Sequence, residues 1–403
     1  MLKGFLKVPR GPPLVVVRRC AVLLIVVAST LAPGIAHADW SQFHAGRTRS
    51  GVVSGESALT ALTAPSIQKL WGVATDPTAE GINSSPAVVG GMAYIGSDDG
   101  SLWAFDALTG APMWRDPVGA QVRSSPAVAD GRVFFGSAGG WVYADDALTG
   151  SRLWSYAIGG NVTAPPLVVG STVYIGPRSG SFVALDAATG ALLWKVNVWG
   201  MWGGAASAKG VVYVGSEQSK VFAFDAVTGT LLWSRALGAR VRSTPSVADG
   251  RVFVGTDAGT VVALDADTGS IRWTSPASPP STSTVIRSSP AVDGGRVFVA
   301  TAETTPMDGD VVAFDEKTGA VDWRADYVAD YSTSSPAIAN GVLYVGSYDT
   351  RLYAIRARSG KLLWAPGWGA GNMERGFNSS PAIADGRVYI GCRDGSLYAF
   401  GMG

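Results

Sequence analysis

The pattern D-x-x-T-G-x-x-x-W recurs along the chain at a nearly constant interval and constrains its fold more than any other feature. Six copies are nearly identical, and they run from Asp106 to Trp114, Asp146 to Trp154, Asp186 to Trp194, Asp225 to Trp233, Asp265 to Trp273 and Asp315 to Trp323. A seventh, degenerate copy keeps Gly360 and Trp364. Successive tryptophans stand 40, 40, 39, 40, 50 and 41 residues apart. This period predicts an array of one small structural unit.

Each repeat has the pattern of four short antiparallel strands. Ser-Ser-Pro-Ala-Val at 84–88 and 124–128 leads to tight turns such as Asp130-Gly131, and a β-rich run such as Arg251–Gly255 follows. Alternating apolar residues between glycine turns are typical of consecutive hairpins. The strand that carries the tryptophan is the fourth. Four-stranded units repeated around an axis predict an all-β fold, an eight-bladed β-propeller.

The number of blades follows from the two ends of the repeat region. The last unit stops at residues 396–400, before a strand with a tryptophan. The segment 67–74, which contains Trp71, has no preceding strands of its own. We expect this N-terminal strand to complete the C-terminal blade, because that arrangement covers two exposed sheet edges at once. Seven blades is the alternative.

The motif residues are expected to be structural. The aspartate and threonine can fix a turn by bonding nearby backbone groups, and the glycine tolerates a positive φ. The tryptophan presents a large flat surface to the adjoining blade. The predicted blade-docking residues are Trp71, Trp114, Trp154, Trp194, Trp233, Trp273, Trp323 and Trp364.

The N-terminal residues have the pattern of an export signal. Basic residues up to Arg19 precede an apolar run from Cys20 to about Ala32, and Ala36-His37-Ala38 offers small residues for cleavage. We therefore expect a cleavable signal peptide at 1–38, an N-terminal extension at 39–66 and the propeller at 67–403. An uncleaved anchor is the alternative. The protein is expected to be periplasmic or extracellular and not a lipoprotein, because Cys20 opens the apolar run instead of following it.

Composition excludes several function classes. The chain has two cysteines and two histidines, so a disulfide in the mature protein, a haem attachment site and a histidine-based metal centre are not expected. A formal net charge of +1 gives no basic field for nucleic acid. We expect a monomer with no transmembrane segment after signal cleavage.

The succession of Ser-Ser-Pro-Ala-Val, Val-Phe-Val-Gly (252–255) and Ala-Leu-Asp-Ala-Asp-Thr-Gly-x-x-x-Trp (263–273) resembles the pyrroloquinoline-quinone (PQQ) repeat family. The resemblance covers residues 83–401. It implies one of two functional classes. One comprises the quinoprotein alcohol and sugar dehydrogenases, which hold PQQ and a calcium ion at the centre of one face. The other resembles the propeller lipoprotein of the outer-membrane β-barrel assembly machinery, which has no cofactor and acts by protein contact.

The chain departs from the dehydrogenase class where the cofactor would lie. That class carries a vicinal disulfide and a Glu/Asn/Asp set for calcium, whereas this chain has no Cys-Cys pair. Its inner strands are expected to start at Asn83, Arg123, Thr163, Arg242, Arg287, Thr333 and Asn378, without a carboxylate. Such a ring suits an anionic or polar peptide ligand better than calcium. We therefore predict no cofactor, metal site or catalytic residue, with PQQ and calcium belonging only to the alternative function.

The loops between blades supply the other candidate binding residues. The aromatic connection at 199–204 contains Trp199 and Trp202, which could stack on a ligand or plug the channel mouth. Asp326, Asp330 and Glu374, with Glu80 as a further candidate, are the only acids expected close to the ring; solvated surface acids are the alternative. The predicted central face thus comprises Asn83, Arg123, Trp199, Trp202, Arg242, Arg287, Asp326, Asp330, Glu374 and Asn378.

These observations favour an exported scaffold that binds protein or peptide partners through its blade-connecting loops. The first alternative is a PQQ- and calcium-dependent alcohol or sugar dehydrogenase, in which the acids just named would supply the metal ligands and base. The second alternative is a binder of carbohydrate or wall polymer that uses Trp199, Trp202 and Trp368.

Overall fold

The computed structural model describes Met1 and residues 39–53, 55–75, 81–278, 284–304, 307–328, 333–365 and 376–403. The predicted signal peptide at 1–38 lies outside this part of the chain, apart from Met1. Within the described part, no helix is long and apolar enough to cross a membrane. One short 3-10 helix, Ala64–Ser66, precedes the first strand.

Strand β1 (Gln68–Ala74) comes first and is followed by four regular units. Blade 1 contains β2 (Ala87–Val89), β3 (Met92–Gly96), β4 (Ser101–Asp106) and β5 (Pro112–Pro117). Blade 2 contains β6 (Ala127–Ala129), β7 (Arg132–Gly136), β8 (Trp141–Asp146) and β9 (Arg152–Ala157). Blade 3 contains β10 (Leu167–Val169), β11 (Thr172–Ile175), β12 (Ser181–Asp186) and β13 (Leu192–Asn197). Blade 4 contains β14 (Ala205–Ala208), β15 (Val211–Ser216), β16 (Lys220–Asp225) and β17 (Leu231–Ala236).

The second half of the propeller repeats this order with one insertion. Blade 5 contains β18 (Ser246–Ala248), β19 (Arg251–Gly255), β20 (Thr260–Asp265) and β21 (Ile271–Pro276). Blade 6 contains β23 (Ala291–Asp293), β24 (Arg296–Ala300), β27 (Val311–Asp315) and β28 (Val321–Ala325). The inserted sheet contains β22 (Thr284–Val285), β25 (Ala302–Thr304) and β26 (Met307–Asp308). Blade 7 contains β29 (Ala337–Ala339), β30 (Val342–Gly346), β31 (Leu352–Arg356) and β32 (Leu362–Trp364). Blade 8 contains β33 (Ala382–Ala384), β34 (Arg387–Gly391) and β35 (Ser396–Gly401).

Strand β1 is the outer strand of blade 8. It pairs antiparallel with β35, from Gln68 opposite Gly401 to Ala74 opposite Ser396. The sheet order is β1-β35-β34-β33, so the N-terminal and C-terminal parts of the chain share one blade. The prediction of eight four-stranded antiparallel blades closed by an N-terminal strand is therefore confirmed, and seven blades is wrong.

The hydrophobic core lies between neighbouring blades. One cluster joins Leu102 and Ala104 of blade 1 to Val133 and Phe135 of blade 2, and all four side chains are fully buried. The third strand of each blade has a nearly continuous buried pattern, because both of its faces are covered by adjacent sheets. The strands are therefore scaffold, and variation is left to the connections.

The tryptophans of the repeat join each blade to the next. Seven indole N–H groups donate hydrogen bonds of 2.9–3.1 Å to backbone carbonyls of the following blade, beginning with Trp71 to Leu108 and ending with Trp323 to Ala357. Trp364 instead packs edge-on against Phe400, with the ring centroids 6.1 Å apart. The bond from Trp71 links blade 8 to blade 1, so the docking continues across the closure.

Residues 40–53, which we call the channel segment, lie along the inner strands. The carbonyls of this segment accept the N–H groups of Val88, Val128, Ser207, Val247, Val292 and Ile338 at 2.7–2.9 Å. In blade 3, the Val168 N–H donates instead to the Gln42 side chain at 3.1 Å. The inner strand is an edge of every sheet, and its N–H groups need partners when they are removed from water. The channel segment supplies them in seven blades, a role that its sequence does not indicate.

Two buried side chains fix the channel segment in place. The fully buried Arg49 guanidinium donates to the carbonyls of Ala205 (3.0 Å), Pro166 (2.7 Å) and Phe43, and burial lowers the pKa of Arg49 to about 9. The His44 Nδ1 and Nε2 atoms lie 2.7 Å from the Arg49 carbonyl and 2.8 Å from the Pro336 carbonyl. Burial lowers the pKa of His44 to about 4. These contacts attach the segment to blades 3, 4 and 7.

Candidate functional site

One face of the propeller carries a ring of eight side chains, one from each blade. The ring residues stand where each connection enters an inner strand, and we call this side of the molecule the ring face. They are Asn83, Arg123, Thr163, Trp202, Arg242, Arg287, Thr333 and Asn378, and all eight line a central cavity of about 140 Å³. Phe43 of the channel segment also lines it. The structure thus brings together all seven predicted strand starts, adds Trp202 as the eighth ring member, and leaves their binding role a prediction.

The Ser-Ser-Pro sequence beneath the ring explains how these side chains are positioned. The hydroxyl of the first serine accepts a hydrogen bond from the N–H group at the end of the second strand, as in the 3.1 Å bond from the Gly96 N–H to the Ser84 hydroxyl. The second serine joins adjacent blades, as in the 2.9 Å bond from the Ser85 N–H to the Ser125 hydroxyl. Equivalent bonds run from blade 4 through blades 5, 6, 7 and 8 to blade 1, and we call this set the serine belt.

The ring arginines are paired with carboxylates from the turns that follow the second strands. The Arg123 Nε atom lies 2.9 Å from the Asp98 Oδ1 atom. Arg242 contacts Glu217 at 2.7 Å and Asp257 at 3.3 Å. The expectation that Asp326, Asp330 and Glu374 supply the only acids near the ring is therefore wrong.

A third ring arginine shares one of these carboxylates. The Arg287 Nε atom lies 3.4 Å from Asp257 Oδ1, opposite the contact that Arg242 makes to Oδ2. The three acids occupy one position of the repeat, directly after Gly96-Ser97, Gly215-Ser216 and Gly255-Thr256. This position is apparent when the repeats are aligned with one another, but not from the strand starts alone.

A hydrogen-bonded network fills the ring at blades 7, 8 and 1. The Thr333 hydroxyl and the Tyr348 hydroxyl both donate to the Asn378 Oδ1 atom, the latter at 3.0 Å. The Asn378 Nδ2 group donates to Asn83 at 2.6 Å, and the Asn83 Nδ2 group donates to Asp98 at 2.8 Å. Both amide groups therefore already form hydrogen bonds with other side chains of this chain.

The ring has a different character at blades 3 and 4. Two guanidinium groups lie over the Trp202 indole ring, that of Arg178 at 3.6 Å and that of Arg242 at 4.9 Å from its centroid. Trp199 is 55% exposed and lines a neighbouring cavity of about 330 Å³ with Arg178, Gly200, Glu217 and Gln218. Trp202 thus lines the central cavity, whereas Trp199 lies at the rim.

Asp326, the one predicted acid within the described residues, is not among the side chains that line the central cavity. Asp326 follows the outer strand of blade 6, and burial together with the Asp326 charge raises the pKa of the adjacent Tyr327 to about 12. The Tyr327 hydroxyl donates to the Gly360 carbonyl of blade 7. Asp330, Glu374, Glu80 and Trp368 lie outside the described residues.

The described residues do not fit PQQ with calcium at the centre of the ring face. Calcium takes six to eight oxygen ligands, usually with several carboxylates. Asp98, Glu217 and Asp257 are the carboxylates next to the described ring, and each is in an ion pair with arginine. In the part of the chain that is described, no group of three or more His, Cys, Asp or Glu side chains is placed to hold a metal ion.

Comparison with known proteins gives one matching family and a common fold. The family model described as outer membrane protein assembly factor BamB matches residues 55–201 and 178–400. The crystal structure of BamB from Moraxella catarrhalis superposes with a TM-score of 0.68 at 20% identity, covering 83% of this chain and 97% of that one. Quinohemoprotein alcohol dehydrogenase from Comamonas testosteroni gives a TM-score of 0.75 at 17% identity, covering 91% and 81%.

The fold likeness extends to a protein that was designed. The computationally designed Ika8 protein gives a TM-score of 0.70 at 20% identity, covering 83% of this chain and 99% of that chain. No curated protein matches the chain in sequence. At these identities the structural likenesses establish the fold alone, so the chemistry has to come from the residues of the ring face.

Proposed function

Because the chain belongs to the PQQ-repeat β-propeller family described as outer membrane protein assembly factor BamB, we propose that it is an exported scaffold that works without a cofactor and binds a protein or peptide partner on its ring face. The proposal that the protein is exported rests on the sequence pattern at 1–38. The family description names a factor in assembly, which is a function performed through contacts between proteins. A partner-binding propeller is consistent with that description.

The observation that carries the proposal is the pairing of the ring charges inside the protein. Arg123, Arg242 and Arg287 each contact a carboxylate, and the amides of Asn83 and Asn378 bond to each other. A site built to hold calcium or to abstract a proton would instead keep carboxylates available to the ligand. The ring face is therefore a preorganised polar surface, which favours docking of a macromolecule over chemistry on a small substrate.

The rim of the ring face supplies the features that a protein partner would use. Trp199 is a large exposed aromatic residue of this rim, and tryptophan and arginine are the residue types most enriched where binding energy concentrates in protein interfaces. The central cavity beside it is lined mainly by arginine, asparagine, serine and threonine, which can bond a peptide backbone.

Site-specific photo-cross-linking in the producing cell tests this proposal. A photoreactive phenylalanine analogue would replace the exposed Gln218 on the ring face, and a matched variant would carry it at Val227, which is 82% exposed in a turn on the opposite face. We expect a discrete cross-linked protein adduct from position 218 and none of the same mass from position 227. Identical adducts from both positions, or none from position 218, would contradict the proposal.

A further inference from the structure

The polar groups in one part of the ring face are hydrogen-bonded, whereas several in another part have no partner among the described residues. The serine belt is complete from blade 4 through blade 8 to blade 2, but blade 3 has Pro165 at the belt position and blade 4 has Gly204. Neither residue carries a hydroxyl group. Blades 3 and 4 therefore depart from the repeat at the layer that supports the ring. A local departure from an otherwise consistent repeat marks a position where function has displaced structural optimisation.

Three polar atoms in this same part have no hydrogen-bond partner among the described residues. They are the Asn161 Oδ1, the Thr163 Oγ1 and the Trp202 Nε1 atoms, and each is shielded from solvent. A buried polar atom without a partner costs about 1–3 kcal/mol, so such atoms are normally avoided. Thr163 and Trp202 line the central cavity, so their hydroxyl and indole N–H groups are placed to donate hydrogen bonds to a ligand there.

The charge of this part is also unbalanced. Glu217 is paired with Arg242, and Asp257 is shared by Arg242 and Arg287. The Arg178 guanidinium lies over the face of Trp202 and has no carboxylate partner among the described residues. Its guanidinium therefore has N–H donors without an acceptor among the described residues, and it lines the cavity beside Trp199.

We propose that the blade 3–4 sector, made by Asn161, Thr163, Arg178, Trp199 and Trp202, is the subsite that selects the partner, and that it takes a carboxylate side chain next to an aromatic side chain in an acidic peptide segment. This inference rests on the proposed partner-binding function and specifies its chemistry. A carboxylate accepts two N–H groups from one guanidinium in a matching planar geometry. An aromatic ring adjacent to it would cover the exposed face of Trp199. Glu217 does not oppose the anion, because Arg242 neutralises it.

A fluorescence-anisotropy titration tests this chemistry with three labelled peptides. The first is Gly-Ser-Asp-Phe-Asp-Ser-Gly, the second replaces both Asp residues with Asn, and the third replaces Phe with Ala. We expect the first peptide to bind at least about tenfold more tightly than the second, since a hydrogen bond to a charged group is lost. Equal affinity for the acidic and the amide peptides, or no binding of the first peptide, would overturn the inference.

Matched arginine variants locate the subsite. Arg178→Gln should weaken binding of the acidic peptide about tenfold and leave the amide peptide unchanged. Arg393→Gln is the control, because Arg393 occupies the same repeat position in blade 8 and also lies over an aromatic ring, Tyr348, at 5.1 Å. It should leave both affinities unchanged. Trp199→Ala should abolish the preference for Phe over Ala. Equal losses in the two arginine variants would contradict the assignment to blades 3 and 4.

The same variants separate this inference from the proposed function. Arg178→Gln should reduce the yield of the adduct formed from position 218 in cells. If the adduct forms in full despite this substitution, the ring face binds a partner but the blade 3–4 carboxylate subsite is wrong. If no adduct forms even in the parent protein, the proposed function itself fails.

Discussion

The Trp114 indole of blade 1 lies so close to Gly150 of blade 2 that a Cβ atom on residue 150 would stand 2.6 Å from the indole Cδ2 and Cε3 atoms. Gly150 also has a φ of +70°. The glycine of the repeat motif therefore meets two requirements together, a left-handed turn and a closely packed tryptophan from the preceding blade. The same relationship recurs between Trp154 and Gly190 and explains why the motif couples these two residue types.

Gly150→Ala should lower the free energy of unfolding by about 3 kcal/mol, because the strained φ and the contact with Trp114 add. Gly131→Ala is the matched control, since Gly131 has the same φ of +70° but open space where a Cβ would stand. It should cost only about 1 kcal/mol. Urea denaturation of both variants measures the difference. Equal destabilisation would show that blade docking does not require the glycine.

Arg49→Met should destabilise the protein by about 3 kcal/mol, because the carbonyls of Phe43, Pro166 and Ala205 would lose their buried donor. Arg47→Met changes an exposed arginine of the same segment and should stay within about 0.5 kcal/mol of the parent. Hydrogen exchange provides a second readout: the Ser207 and Val247 amides, which donate to the channel segment, should exchange faster in Arg49→Met alone. Unchanged protection would mean that Arg49 does not hold the segment.

His44 should make stability depend on pH in the acidic range. Its pKa falls from 6.5 to about 4 on folding, so the unfolded chain binds more protons between these values. The contribution of His44 to the free energy of unfolding, about 3 kcal/mol, is then fully present above pH 6.5 and is lost as the pH falls toward 4. The profile of His44→Gln, measured by denaturant unfolding from pH 7 to pH 4, should lack this loss. Parallel profiles for the two proteins would rule out His44 as the cause.

Arg242→Gln should lower the free energy of unfolding by about 2 kcal/mol. The reason is that Glu217 would lose its paired arginine and Asp257 would lose one of its two paired arginines. Arg178→Gln should change it by less than about 0.5 kcal/mol, since Arg178 has no carboxylate partner among the described residues. Thermal unfolding of both variants without ligand measures the contrast. A larger loss in Arg178→Gln would show that the blade 3–4 sector is structural.

The repeat allowed the scaffold to be predicted from the sequence, whereas the contacts across the ring could not be predicted from it. Blade number, strand order and the closure by the strand containing Trp71 follow from a period that is visible in one sequence. The channel segment bonds the inner strands mainly through its backbone carbonyls, so it requires few particular side chains and leaves no sequence pattern. The pairing of Arg242 with Glu217 joins residues 25 positions apart, and only superposed repeats place them together.

The candidate site could be predicted in position but not in chemistry. Strand starts such as Arg123 and Asn378 do line the cavity. The strand starts did not reveal that Asp98 accepts hydrogen bonds from the Nε and Nη2 groups of Arg123, and the expected binding of an anionic or polar peptide by the ring stays a prediction. Charge balance depends on which side chains meet in space, so only the structure shows that Arg178 has no carboxylate partner among the described residues.

Calorimetric titration of the purified protein with PQQ in the presence of calcium, followed by a dye-linked assay with alcohols and sugars, tests the central claim most directly. The paired carboxylates Asp98, Glu217 and Asp257 predict no saturable heat and no substrate-dependent dye reduction. Stoichiometric uptake of PQQ with turnover of an alcohol or sugar would contradict the account of the ring face as a partner-binding surface.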